Sequence, residues 1–513
     1  MRSYFYSTKQ AYTNGLSPMD EVSKDAAFLT TCLGAKPTEY GLIGEEAIVN
    51  PVSGTYDADA QFIVGERVYL LYWTGAVASI YWIDESDWSK SSPILTAGAA
   101  LNAATNSSTA SLVNDELPFS IATKDNFYFI SNSECFLTNC GLFSSWAVGL
   151  KATVRVPQAC CFWGDRLVLG GFQTAKSYST TFWTALWAAW KNSNRGNVFT
   201  SGDTADDTYL WIGPPLGAAD DKPFALDMLM LTEYQVTGLD SMLFDLVDKG
   251  LATFVQVPVG EILAVKTNGD QILVYGDTGV YSVRQQEDGT FRAGLLHSSG
   301  IPSRAAVDGD SHVHGFVDRR GDLYWYTGEG GLNRHGFRDH ISDLTAASIR
   351  MPFHRTEGWY VNDGTTCYVL TREGKLWQAG VMPNSIVERA GTLYGTVSGS
   401  TGSIVAETEP TDLDTNELKK IEHVHVDHKG LASVYTNIGY RYNSTGSLSY
   451  TGNQLVNSDD IGYHGISAKE FTVKVTASGT SVDTLTGSRV SYQVVGARAT
   501  RGLSEQGSEG QRV

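Results

Sequence analysis

Three histidines fall close together in His423-Val424-His425-Val426-Asp427-His428, the group in this chain best suited to metal chemistry. On an extended strand His423 and His425 share one face, and His428 could return from the following turn. No further ligand or orienting partner is evident in the neighbouring sequence, so no metal is expected and the three read as ordinary surface histidines. His312 and His314 have the same same-face spacing and the same reading, as polar residues of a half-exposed strand.

Carboxylates come next, since a pair of Asp or Glu residues can cleave a glycosidic bond. Asp277, Asp318, Asp322 and Asp363 all lie in turn sequences, where Asp bonds to its own backbone, and that accounts for them without chemistry. Glu287-Asp288-Gly289-Thr290-Phe291 comes closest to the repeated turn of a sialidase-type propeller but has neither its spacing nor a second copy. Gly328-Glu329-Gly330-Gly331 lacks the Lys-Ser/Thr and the helix that would hold a phosphate. No Gly-x-Ser-x-Gly elbow is present, and no Cys/His pairing stands out. Trp183, Trp187 and Trp190 could stack a sugar, or could simply fill a core. No catalytic, cofactor-binding or metal residue is assigned, and the chain is not expected to be an enzyme.

The elements that would position such residues are hairpins. Residues 271–283 place two β-branched and aromatic runs either side of Gly276-Asp277-Thr278-Gly279, a strand–turn–strand signature. The device recurs around Asp318-Arg319-Arg320-Gly321-Asp322, and twice more through Asn362-Asp363-Gly364 and Arg372-Glu373-Gly374-Lys375. Phe162-Trp163-Gly164-Asp165-Arg166-Leu167 and Val64-Gly65-Glu66-Arg67-Val68 repeat it upstream in degenerate form. A lone hairpin cannot bury both faces, so a series of them closes around an axis, which predicts a β-propeller. Residues 56–400, at ~40–50 residues per blade, allow roughly seven blades. A single large β-sandwich would need longer strands and fewer turns.

Composition narrows the classes further. In 513 residues, 42% apolar with 53 Gly and 25 Tyr, a well-packed, turn-rich β protein is expected and disorder is not. No window offers a membrane-spanning run, and the first residues lack the apolar core of a signal peptide. Six cysteines make no disulfide framework; Cys160 and Cys161 should point to opposite faces of a strand, and only Cys135 and Cys140 are spaced for a local bridge. The excess of 56 acidic over 38 basic residues, a net −18, argues against gripping a nucleic-acid backbone. It suits a surface past which DNA slides, because like charge gives phosphates few places to stick.

Along the chain, residues 1–55 read as an N-terminal arm, with a helix over Val22–Leu33, that packs on its own body or on a neighbouring subunit or adaptor. The propeller spans 56–400, with an insertion near 208–250. A boundary falls in 394–417, which lacks a long apolar run. Residues 401–513 form a β-sandwich-like domain with strands at Ile421–Val426, Ala432–Ile438, Phe471–Val475 and Val490–Val495. The whole is mainly β: an irregular propeller with an N-terminal arm and a C-terminal sandwich.

Leu323-Tyr324-Trp325-Tyr326-Thr327-Gly328-Glu329-Gly330-Gly331-Leu332, followed by Asp339-His340-Ile341-Ser342-Asp343-Leu344, resembles the tail nozzle and tail stabilisation (tail hub) proteins of short-tailed bacteriophages. Phe162–Leu167, Ile272–Val283, Ile466–Phe471 and Tyr492–Gly502 agree in kind, so the likeness, one of texture and organisation, touches residues 160–502. It implies a structural virion protein of the tail, assembled in the host cytoplasm as a closed six-fold ring. The ring would meet portal or adaptor proteins, and tail fibres or spikes, and enclose a channel through which DNA passes without specific binding. Acidic residues would then concentrate on the channel face, with Glu407–Asp414 or the Asp203–Asp221 region as sources. The alternative is a glycan-binding or glycan-cleaving propeller of a tail or surface apparatus, suggested by the Trp cluster.

Overall fold

In a computed structural model of the chain, the described residues are 3–18, 27–49, 246–389 and 392–495, apart from a few isolated positions, together with strands and short turns between 60 and 215. They form a β-propeller and a β-sandwich. Blade I comprises Ala60–Val64, Arg67–Thr74, Val77–Ile83 and Leu95–Thr96; blade II comprises Ser120–Thr123, Asn126–Ile130, Glu134–Asn139 and Ala147–Lys151. Blade III is Ala159–Trp163, Arg166–Gly170, Tyr209–Pro215 and Thr253–Gln256, and blade IV is Ile262–Asn268, Gln271–Gly276, Val280–Gln285 and Phe291–His297. Blade V follows with Val307–Gly309, Val313–Val317, Leu323–Thr327 and Gly331–His335, then blade VI with Phe353–His354, Gly358–Asn362, Cys367–Leu370 and Leu376–Ala379. Blade VII pairs Val381–Arg389 with Thr392–Gly399, and takes its outer strand, Ile48–Val49, from the beginning of the chain in parallel register.

Closure is visible in the first strands. That of blade I lies against blade II's, II's against III's, III's against IV's, V's against VI's and VI's against VII's, and VII's returns to Ala60–Val64. Blades IV and V are joined by the Lys266–Asp308 pair, 2.9 Å apart, and by Tyr275 packing on Phe316 at 5.5 Å. Each blade is covered on both faces by its neighbours, so its second strand reads as a nearly continuous apolar run: every residue of Gln271–Gly276 and of Gly358–Asn362 is buried.

The turn aspartates lock this arrangement, and they do so through backbone, as turn chemistry requires. Asp277 accepts the Glu261 N–H of the linker entering blade IV at 2.9 Å. Asp318 is 1% exposed, accepts the N–H groups of Arg320 and Asp322 at 2.9 Å each, and meets His297, at the end of blade IV, at 3.2 Å. Asp363 accepts N–H groups of Thr345, Thr365 and Thr366, and these donors hold its carboxyl below the ordinary range despite the opposing effect of burial. In blades IV, V and VI the turn between second and third strands is thus tied to the segment that enters the blade.

The sandwich has two sheets. One orders Ala35–Thr38, Gly41–Gly44, Thr484–Val495, Leu418–Lys429 and Ile461–Ala468, with Ser3–Ser7 also on Thr484–Val495. The other orders Leu29–Leu33, Ser403–Thr408, Glu470–Ser478 and Ala432–Arg441, with the short strands Ser449–Tyr450 and Gln454–Leu455 on its edge. Ile421, Val424 and Val426 alternate inward from the first; Val434, Ile438, Phe471, Val473 and Val475 meet them from the second. The second sheet continues into the propeller, because Leu33 bridges in parallel to Gln378 of blade VI.

Several expectations change here. Leu29–Leu33 is a strand, not the end of a helix over Val22–Leu33: pairing with Ser403–Thr408 outweighs local propensity, and the helix of the region is Lys9–Asn14. The arm packs on its own chain, where its strands complete both sandwich sheets and one blade, so the sandwich is not built from residues 401–513 alone. Tyr209–Pro215 belongs to blade III, which moves the start of the 208–250 insertion past it. The stretch 394–417 takes in most of the strand Thr392–Gly399 and all of Ser403–Thr408, and the boundary falls between them. The four expected sandwich strands all lie within observed ones.

Glu45 sits where the two modules meet, 4% exposed, accepting the Gly380 N–H at 2.8 Å on one oxygen and finding no partner for the other among the described residues. Burial pushes its carboxyl up to about 7, against the lowering effect of the Gly380 and Val381 N–H groups. The folded chain therefore holds this proton more tightly than the unfolded one, so stability falls as pH rises from the unfolded value through about 7. Glu45→Gln is expected to flatten that dependence and to stabilise the protein at pH 8 by about 1–2 kcal/mol. Denaturant midpoints measured at pH 5 and pH 8 check it; parallel shifts in both proteins would refute this role.

Candidate functional site

The histidines do not converge. His423 packs on Tyr463 at 5.9 Å, His425 lies 3.2 Å from Asp427 and from Arg489, and His428 bonds Asp460 at 3.1 Å. A bulge between Asp427 and His428 turns the last one away, which the simple alternation of a strand does not anticipate. Among the described residues no group of three or more His, Cys, Asp and Glu is placed to hold a metal. His312 and His314 also part company: His312 is exposed in a turn, whereas His314 is 1% exposed inside blade V, bonded to the Tyr275 hydroxyl at 3.1 Å. Burial and, secondarily, the charge of Lys266 push His314 down to about 4.

Asp288 of the sialidase-like turn accepts the Thr290 N–H and hydroxyl, which lower its carboxyl. Asp322 is occupied by Arg334, at 2.6 Å. Glu407, proposed to line a channel, is 7% exposed because Ser403–Thr408 is an interior strand, and it meets Tyr450 at 2.5 Å and Lys474 at 3.4 Å; Glu409, just past that strand, is 2% exposed. Cys160 and Cys161 are buried and form no disulfide. Trp183, Trp187 and Trp190, Cys140, and Asp203–Asp221 outside the strand Tyr209–Pro215 lie outside the described residues, as do the side chain of Cys135 and the residues Glu329 and Gly330.

What the blades do assemble is a cleft of about 740 Å³ at one end of blades IV, V and VI. In an antiparallel blade the turn joining strands one and two and the turn joining strands three and four lie at the same end. Three consecutive blades therefore bring Asn268-Gly269-Asp270, Ser311-His312, Gly328 and Arg372 to one rim. Gln271 pairs with Arg284 across adjacent strands; its amide oxygen accepts the guanidinium at 3.1 and 3.2 Å, while its amide nitrogen donates to the Tyr326 hydroxyl of blade V at 2.9 Å. Trp359, fully buried, donates its indole N–H to the Asp308 carbonyl at 2.9 Å and packs near the half-buried Trp325. Asn268 is 3% exposed, and its amide nitrogen has no partner among the described residues.

None of these side chains forms a nucleophile–base pair with a third orienting group, the arrangement hydrolysis would need. Sequence reasoning passed over Asn268, Gln271, Arg284 and Arg372 because no motif joins them. The usable signal was the repeat itself, since superposing successive hairpins places these turns at the same end.

No family model matches the chain. No curated protein matches it either. Among solved structures, it is similar to U3-55K, with 8% identity over 71% of this chain and 92% of that one, at a TM-score of 0.38. It is also similar to the WD40 domain of Neurospora crassa Pan2, with 8% identity, 84% and 91% coverage and a TM-score of 0.35. A third, Hsv2 of Kluyvelomyces marxianus, has 9% identity, 66% and 81% coverage and a TM-score of 0.29.

Proposed function

We propose that this chain is a structural subunit of the tail nozzle of a short-tailed bacteriophage, a closed homo-oligomer, taken as a hexamer, around the DNA exit channel. The observation that carries this reading is the sandwich edge. Tyr442, Tyr450, Leu455 and Tyr463 are 53%, 46%, 62% and 63% exposed, all beside or on the short strands Ser449–Tyr450 and Gln454–Leu455 and the edge strand Ile461–Ala468. Edge strands expose unpaired backbone groups, and large apolar side chains beside them suit a surface that another subunit covers. The shared sheet between sandwich and propeller would hold each subunit rigid, and the net charge of −18 favours passage of DNA over its retention.

On this reading the protein belongs to the virion tail, is assembled in the host cytoplasm, meets adaptor or portal proteins and fibres or spikes, and has no catalytic role. No helix among the described residues is long and apolar enough to cross a membrane. Native mass measurement tests the oligomer: a multiple of the 55.7 kDa chain is expected, and the paired substitution Leu455→Lys with Tyr463→Lys should release monomers without lowering the unfolding temperature. A wild-type protein that is monomeric at all concentrations would defeat the proposal.

A further inference from the structure

We propose that the cleft between blades IV, V and VI is a binding site for a carboxylate-bearing saccharide. The inference is independent of the ring. The cleft's volume, about 740 Å³, lies within the roughly 300–1,000 Å³ of small-molecule sites, and blades from one continuous stretch of chain form it, so it is complete in one subunit.

Its lining is specific in three respects. Arg284 and Arg372 are exposed at the rim, and neither pairs with a carboxylate among the described residues, although the chain carries a net −18. Arg284 is aimed by the Gln271 amide oxygen, and Arg372 donates to the Arg355 carbonyl at 3.2 Å, which leaves further guanidinium N–H groups for an acceptor. Carboxylates match the guanidinium fork in two-point geometry, whereas a neutral hydroxyl does not.

Next, Asn268 lines the same cleft with a buried amide whose nitrogen has no partner among the described residues. An unmet buried donor is unfavourable, and an acceptor oxygen on a bound molecule would satisfy it. Finally, Trp325 contributes half-buried aromatic surface, while Asp270, Ser311, His312 and Thr327 supply donors and acceptors for hydroxyls around it. Asp270 brings like charge, so the acidic group belongs on the arginine side and sugar hydroxyls on the side of Asp270. Aromatic surface with planar amide, guanidinium and carboxylate side chains suits a ring bearing many hydroxyls better than an extended acidic peptide, whose backbone would need a free strand edge.

Calorimetric titration of the full chain at low salt provides the test, with a galacturonic acid trisaccharide and 3′-sialyllactose as acidic probes. Controls are the same trisaccharide with its carboxyl groups reduced to alcohols, and hexaglutamate. Binding of at least one acidic saccharide is expected, weakened about ten-fold or more by Arg284→Gln with Arg372→Gln and by added salt. Both arginines are exposed, so the double variant should keep the wild-type unfolding temperature, which is measured alongside. Failure of both acidic saccharides, equal binding of the reduced trisaccharide, unchanged affinity in the double variant, or preference for hexaglutamate would each overturn the assignment. None of these outcomes bears on whether the chain forms a ring.

Discussion

A chain lacking residues 1–49 is expected to lose its cooperative native fold, not merely its ability to assemble. The deletion removes Leu29–Leu33 from the sheet that joins sandwich to propeller, the Ala35–Gly44 hairpin from the facing sheet, and Ile48–Val49 from the blade that closes the ring. It also withdraws Tyr12, Leu16, Leu29, Cys32 and Leu42 from the core, each no more than 3% exposed. At roughly 1.5–3 kcal/mol per large buried side chain, the loss is comparable to the ~5–15 kcal/mol that holds a typical domain folded. Circular dichroism with thermal melting checks it: a broad or absent transition is expected. A truncated protein that melts sharply near the wild-type temperature would mean that these strands are dispensable, as a true arm would be.

Trp359→Ala should rank among the most damaging single substitutions in the propeller, destabilising by about 3–5 kcal/mol. The indole is fully buried between Phe353 and Trp325, with ring centres at 5.0 and 5.9 Å, and reaches blade V so closely that a Cβ on Gly315 would lie 2.6 Å from its nitrogen. Truncation leaves a cavity against that backbone and removes the hydrogen bond to the Asp308 carbonyl. Asp308 is itself a junction: its carboxylate meets Lys266 of blade IV at 2.9 Å and the Phe353 N–H of blade VI at 3.1 Å. Burial opposes the charge on Lys266, yet the Asp308 carboxylate prevails and raises its pKa. Trp359→Phe, which keeps a ring but loses the N–H, should cost markedly less. Urea unfolding of both variants decides; a loss below about 1 kcal/mol for the alanine would contradict the packing described.

The propeller was legible in the sequence because its information is local. Gly276-Asp277-Thr278-Gly279 and Asn362-Asp363-Gly364 announce turns through residue types that turns require, and the apolar runs beside them can only be strands covered on both faces. The sandwich strands 418–429, 432–441, 470–478 and 484–495 were legible for the same reason. The role of the first residues was not: Ser3–Ser7 pairs with Arg489–Gln493, and nothing local to either segment encodes a partner so far along the chain. The cleft was illegible in a different way. Asn268, Arg284 and Arg372 are unremarkable apart, and only the stacking of three blades gives them a common rim.

The histidines illustrate the limit of spacing rules. Alternation placed His423 and His425 on one face, but each histidine has its own partner: Tyr463 on the neighbouring strand for His423, Asp427 on the same strand for His425, and Asp460, in the turn before Ile461–Ala468, for His428 beyond the bulge. The same holds for Glu407, whose acidic surroundings in sequence suggested a channel-facing surface and whose strand buries it beside Tyr450 and Lys474.

Electron microscopy of the purified 513-residue chain, with symmetry imposed only after it is observed, shows directly whether a ring forms around a DNA channel. A closed ring of identical subunits is expected, with a central opening lined mainly by carboxylates and neutral polar groups and with Tyr463 and Leu455 covered by a neighbouring subunit. A field of monomers, or an opening lined by Lys and Arg together with tight, salt-dependent binding of DNA to the isolated protein, would contradict it.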